Sequence, residues 1–164
     1  GGLPLGAAPG RSWRRERFRT PYLRDWLLDH GVAVDTMETA FPWSRVARGH
    51  RSVTEALRGA LAAHAGAGLV MAHLSHAYPD GACLYFTALW PVDEARPLEQ
   101  WAAIKRDATD AIVAVGGTVS HHHGVGVDHA AWLARERGTL ALAALRGAKA
   151  ALDPRGLLNP GKLL

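Results

Sequence analysis

Leu69-Val-Met-Ala-His-Leu-Ser-His-Ala-Tyr-Pro-Asp-Gly-Ala-Cys-Leu-Tyr-Phe-Thr-Ala-Leu-Trp90 is the stretch that decides the fold. Two largely apolar runs, Leu69–Ala77 and Ala82–Trp90, flank Tyr78-Pro79-Asp80-Gly81. Proline presets φ for a turn, Asp bonds its neighbouring backbone and Gly accepts positive φ, so the tetrapeptide predicts a hairpin. Working outward, each strand meets a helical pattern. Trp43–Ala65 keeps Val53, Leu57, Ala60 and Leu61 on one face and stops at Gly66 and Gly68. Pro97–Val115 starts at a proline, spaces Trp101, Ile104, Ala108, Ile112 and Val115 helically, and stops at Gly116-Gly117. Val32–Ala40 (VAVDTMETA) alternates and is rich in β-branched residues, which predicts a strand. Thr118–His122 reads as a short, final extended segment. The order strand, helix, strand, strand, helix, strand is an α+β, ferredoxin-like arrangement: one antiparallel sheet with two helices on one face.

The ends are less regular. Gly1–Gly10 reads as a loop and Tyr22–His30 as a helix with Tyr22 and Trp26 one turn apart. Ala-rich Asp128–Leu152 predicts two helices broken at Gly138, and the tail DPRGLLNPGKLL an ordered extension. The expected division is a ferredoxin-like domain over 1–127, then C-terminal helices and tail over 128–164.

Composition narrows the class. The 164 residues are 48% hydrophobic and 21% charged, enough apolar content for a core and unlike a disordered chain. The single cysteine, Cys83, excludes a disulfide framework and an all-cysteine metal site. Residues 59–79 lack Asp, Glu, Lys and Arg, but His64, His73, Ser75, His76 and Pro79 make them too polar for a membrane span. With no signal-peptide pattern, a soluble, cytoplasmic protein is expected. The +4 net charge rests on 16 Arg and 3 Lys, and Arg grips carboxylate and phosphate bidentately, so an anionic partner is expected. Arg11, Arg14, Arg15, Arg17 and Arg19 interleave with Trp13 and Phe18, yet no nucleic-acid-binding signature accompanies them, and no nucleic-acid partner is expected.

Chemistry concentrates in two places. Ser120-His121-His122-His123-Gly124-Val125-Gly126 offers imidazoles that titrate near neutrality, suited to a general base, a proton shuttle or metal ligation. In a strand His121 and His123 would share a face, and the glycines permit a sharp turn. The hairpin places His73, His76, Tyr78, Cys83 and Tyr85 on adjacent strands. Tyr85 could serve as acid or base, or pack with Cys83 on one half-buried face; spacing alone favours packing. Arg24 near a helix start could bind an anion or sit solvated beside Asp25.

Together these motifs carry a resemblance. The tail Asp153-Pro-Arg-Gly-Leu-Leu-Asn159-Pro160-Gly161-Lys162 resembles the C-terminal signature of FAD-linked oxidases of the vanillyl-alcohol-oxidase superfamily. Phe18-Arg-Thr-Pro-Tyr-Leu-Arg24-Asp25, Thr36-Met-Glu-Thr39-Ala40 with Trp43, Gly81-Ala-Cys-Leu-Tyr85-Phe86 and the histidine tract resemble its alkylglycerone-phosphate synthase family. The resemblance implies a substrate domain capping a separate FAD-binding domain, so that this chain alone would be inactive. It implies exchange of the acyl group of acyl-dihydroxyacetone phosphate for a fatty alcohol through a flavin N5 adduct. Tyr85, His121, His122 and His123 would be catalytic, Arg24 would bind the anionic substrate, and Asn159 and His123 would lie toward the flavin. Contact with a membrane surface and a homodimer are further expectations for the full-length enzyme. No metal is implied on this branch. The D-2-hydroxyacid dehydrogenase branch, also similar, would instead imply a metal held by His76, His122 and His123, with two of its four ligand positions changed here. A non-catalytic basic binding module is the reading of another class.

Overall fold

The computed structural model describes residues 2–164, with Thr20 described by its backbone alone. Its elements run α1 (Ala8–Glu16), α2 (Thr20–Asp29), β1 (Val32–Pro42), α3 (Trp43–Ala65), β2 (Leu69–Ala77), β3 (Gly81–Pro91), α4 (Pro97–Ala114), α5 (Ala130–Arg137) and α6 (Thr139–Leu152). Among the described residues, three strands form one antiparallel sheet in the order β1-β3-β2.

Strand β3 is central, and its side chains show the period of two directly. Leu84, Phe86, Ala88 and Trp90 are buried, while Tyr85, Thr87 and Leu89 between them are half-buried. The buried set packs with Met37 and Phe41 of β1, Val53, Leu57, Ala60 and Leu61 of α3, and Ile104, Ala108 and Ile112 of α4. One sheet face therefore carries the core, and the other is left for polar groups. Lys105 ties α4 to β1: its Nζ donates to Asp35 Oδ2 at 2.9 Å, where Trp101 Nε1 also donates at 2.9 Å. A smaller apolar cluster of Val119, Leu133 and Leu142, flanked by Val113, Val125 and Leu164, joins the C-terminal helices to the end of α4 and the histidine segment.

The predicted hairpin forms, with Tyr78 N–H donating to Gly81 O at 2.8 Å. A register shift between Leu74 and His76 was not visible in the sequence pattern. Leu74 pairs with Leu84, but His76, not Ser75, pairs with Cys83. The bulge thus turns His76 onto the face opposite the core, where strict alternation would have put Ser75.

Two expectations are corrected. The Gly1–Gly10 loop gives way to α1 from Ala8, because Pro9 sits in the first turn, where its missing N–H is tolerated and its φ suits a helix. Gly1 lies outside the described residues. Thr118–His122 is not a strand. It lies beside β1 through Thr118 N–H to Ala40 O (3.3 Å) and Ala40 N–H to Thr118 Oγ1 (2.9 Å), then bends away. This edge position is where a ferredoxin-like fourth strand belongs.

Gly117 lets the segment descend so close to β1. A Cβ there would stand 2.5 Å from Thr39 Oγ1 and 2.6 Å from the Phe41 ring. Gly117→Ala is expected to destabilise the fold by about 1–3 kcal/mol through overpacking, measured by urea unfolding. Gly59→Ala, where a helix-interior Cβ meets nothing within 4 Å, is expected to stabilise it by about 0.5–1 kcal/mol.

Candidate functional site

The sheet face turned away from α3 and α4 brings chemistry-bearing residues into register. Glu38 of β1 pairs across with Tyr85 of β3, and Tyr85 with His73 of β2. The next row is Ala40, Cys83 and His76. Above these rows lies the histidine tract. The Tyr85 ring is 5.5 Å from that of His123 and 5.3 Å from that of His73, centroid to centroid. His76 stands 5.4 Å from His121 and 5.3 Å from His122.

Glu38 holds the arrangement together. Its side chain is 1% exposed. Oε1 accepts the backbone N–H groups of His121 (2.8 Å), His122 and His123 (2.6 Å), and the Ser120 hydroxyl at 3.4 Å. Oε2 meets His122 Nδ1, lies 3.6 Å from His121 Nδ1 and receives the Cys83 thiol at 3.8 Å. Burial pushes this carboxyl up, but the three backbone donors outweigh it and hold Glu38 down from 4.5 to about 2. Burial raises the Cys83 thiol, and the Glu38 charge adds to that, so Cys83 carries its proton.

The histidines are individually constrained. The Tyr78 hydroxyl lies 3.0 Å from His121 Nε2, and His121 Nδ1 faces His122 Nδ1 at 3.2 Å. Ser75 Oγ is 3.1 Å from His76 Nδ1. With Nδ1 of His122 donating to a carboxylate, the ring's other nitrogen, Nε2, is left as its proton acceptor.

The structure therefore gathers Tyr85, His121, His122 and His123 around one carboxylate. His76 joins His121 and His122, while metal-competent donors fall into two groups: His76, Cys83, His121 and His122, and Glu38, His122 and His123. His76 and His123 belong to different groups, both containing His122. Arg24 is exposed and pairs with Asp25 at 3.0 Å. It lines a hollow with Val34 and Thr36, which precede Glu38 on the same face of β1. Asn159 sits in the tail at φ +48°, and Leu163 N–H donates to Gly126 O at 3.1 Å, tying the tail to the turn after the histidines. The residue that sequence reasoning missed is Glu38. Its signals are an acid placed mid-strand among β-branched and apolar neighbours and its place inside the Thr36–Ala40 motif.

Residues 6–163 match the family described as FAD linked oxidases, C-terminal domain. The chain belongs to that family. An alkyldihydroxyacetonephosphate synthase of Dictyostelium discoideum is 34% identical over 160 residues, covering 98% of this chain and 26% of that protein. One of Trypanosoma brucei brucei is 33% identical over 164 residues, 100% of this chain and 27% of that protein. A solved alkyldihydroxyacetonephosphate synthase structure matches with a TM-score of 0.65 at 28% identity, over 93% of this chain and 24% of that one. The chain spans about a quarter of the length of these relatives. As an FAD-linked oxidase C-terminal domain it comes from a family of FAD-using enzymes with this mixed helix and strand fold. No helix among its described residues is long and apolar enough to cross a membrane.

Glu38 predicts a pH signature. Its folded pKa lies below the unfolded one, so its stabilisation is complete above about pH 4.5 and is lost as pH falls toward about 2. The shift corresponds to about 3 kcal/mol. Glu38→Gln is expected to be less stable than the parent by up to that amount at pH 6, with the gap shrinking steadily between pH 4.5 and 3 in urea unfolding.

Proposed function

We propose that this chain is the substrate-side part of a flavoenzyme that exchanges the acyl group of acyl-dihydroxyacetone phosphate for a long-chain alcohol. The observation carrying this reading is the convergence of Tyr85 and His121–His123 on Glu38, in a chain similar along nearly its whole length to alkyldihydroxyacetonephosphate synthases.

The donor set suits a flavin. A phenol and imidazoles stand on a sheet face turned away from the core helices. Gly124 and Gly126, at φ +89° and +55°, have nothing within 4 Å of where a Cβ would stand, which leaves room for a planar ring beside the tract. His123 and Asn159 are the residues assigned to approach it. Bound flavin would supply an electrophilic acceptor for the substrate carbon. The remaining work belongs to this chain. His122 Nε2, with Nδ1 fixed on Glu38, takes the substrate's proton, and its 46% side-chain exposure leaves that nitrogen reachable. The Tyr85 hydroxyl assists departure of the acyl group. The Arg24 guanidinium leaves Asp25 to grip the substrate phosphate. Flavin binding is assigned mainly to a separate domain of the full-length protein.

In the full-length protein, labelled fatty alcohol is expected to exchange into acyl-dihydroxyacetone phosphate. Tyr85→Phe and His122→Ala are each expected to lower that rate by about 10²–10⁴-fold. Near-parental exchange in both variants would overturn the roles. Reduction of a dye by a 2-hydroxy acid, abolished by a chelator, would instead assign the protein to dehydrogenase chemistry.

A further inference from the structure

We propose that Tyr78 is a positioning residue of the acyl-exchange site: its hydroxyl holds His121 in the one ring tautomer that leaves His122 ready to take the substrate's proton. For the task of His122 the inference rests on the acyl-exchange reading. For the task of Tyr78 it rests on geometry. Tyr78 stands in the turn after β2, its hydroxyl 3.0 Å from His121 Nε2. It is 43% exposed, so that contact is not a by-product of core packing.

Three contacts fix where the hydrogens sit. His122 Nδ1 lies against the Glu38 carboxylate, which only accepts, so that nitrogen carries its ring's hydrogen. His121 Nδ1 faces it at 3.2 Å, and two N–H groups do not point at each other across such a gap, so His121 Nδ1 is bare. A neutral imidazole holds one hydrogen, so His121 carries it on Nε2 and donates it to the Tyr78 hydroxyl oxygen. Without that acceptor His121 is free to move its hydrogen to Nδ1. Glu38 Oε2, 3.6 Å away, would attract it there, and His122 Nδ1–H would be opposed. The two rings would then compete for one carboxylate oxygen, and His122 would no longer be held with Nε2 bare.

The hydroxyl is itself held in place. Trp43, the first residue of α3, grips both ends of the turn. Its backbone N–H donates to Asp80 O at 3.2 Å, and its Nε1 donates to Tyr78 O at 2.9 Å. Tyr78 N–H closes the turn on Gly81 O at 2.8 Å. The Tyr78 ring lies within 8° of parallel to that of His76, with centroids 6.4 Å apart. Because the oxygen accepts from His121, its own hydrogen is free to turn into the hollow that Tyr78 lines with Asp80 and Thr118. The support therefore runs from the start of α3 through Trp43, Tyr78 and His121 to His122.

The test has two arms. In the full-length protein, Tyr78→Phe keeps the ring and removes only the hydroxyl. It is expected to lower kcat for labelled fatty-alcohol exchange by about 10–100-fold, the range seen when a group that orients a working imidazole is removed, with KM for acyl-dihydroxyacetone phosphate nearly unchanged. In a His121→Ala background the same substitution should cost nothing further, because Tyr78 acts only through that ring. In this chain, nitrogen-15 spectra of the histidine rings are expected to show His121 with its hydrogen on Nε2, and Tyr78→Phe should shift it toward Nδ1. Parental kcat in Tyr78→Phe, an equal loss with and without His121, or a parental His121 with its hydrogen on Nδ1 would each overturn the proposal. The spectra need no substrate, so a full-length protein that exchanges no fatty alcohol would overturn the acyl-exchange reading while the spectra still decide the Tyr78 contact.

Discussion

A single carboxylate buried among backbone donors sets the geometry of this face. Moving an ionised carboxyl out of water is unfavourable by several kcal/mol unless the protein replaces its hydration. Glu38 is compensated by three consecutive N–H groups, a serine hydroxyl, an imidazole and a thiol. Successive N–H groups converging on an anion demand a compact, bent backbone, unlike the alternating directions of a strand. That explains the missing fourth strand. The donors that would have paired with β1 are committed to one β1 side chain instead.

The same commitment determines what the histidines present. Because their backbone is pinned to Glu38, three imidazoles fan out over Tyr85 and the neighbouring row of Cys83 and His76. Neighbours in sequence thus meet different partners: His121 the Tyr78 hydroxyl, His122 the carboxylate, His123 the Tyr85 ring, nearly perpendicular to it. The opposite sheet face carries the packing with α3 and α4, so stability and chemistry are divided between the two sides of one sheet. Asp35, with Lys105 and Trp101 upon it, locks the strand just before Glu38.

Much of the scaffold was legible because its signals are local. The hairpin turn, α3 over Trp43–Ala65 and the break at Gly138 follow from Pro-Asp-Gly chemistry, helical spacing and glycine at a helix end. Arg24 beside Asp25 follows the surface pairing that its spacing suggested. The bulge at Ser75 was not legible, since a register shift depends on which partner residue each strand meets. Helix α1 was obscured by a Gly- and Pro-rich opening whose proline starts a helix.

The sequence by itself determined the sheet-and-two-helix plan and singled out the histidine tract for chemistry, whereas the spacing of Tyr85 favoured packing and only the family resemblance implied a chemical role for it. Period two, period 3.6 and turn residues are written within a few neighbours, and the family motifs are contiguous. Only the tertiary structure decided that Glu38, some eighty positions before the tract, would bind its backbone, and that His76 and Cys83 would lie beneath it. That outcome rests on cross-strand register and on desolvation of a charge, and both exist only once distant segments are packed together.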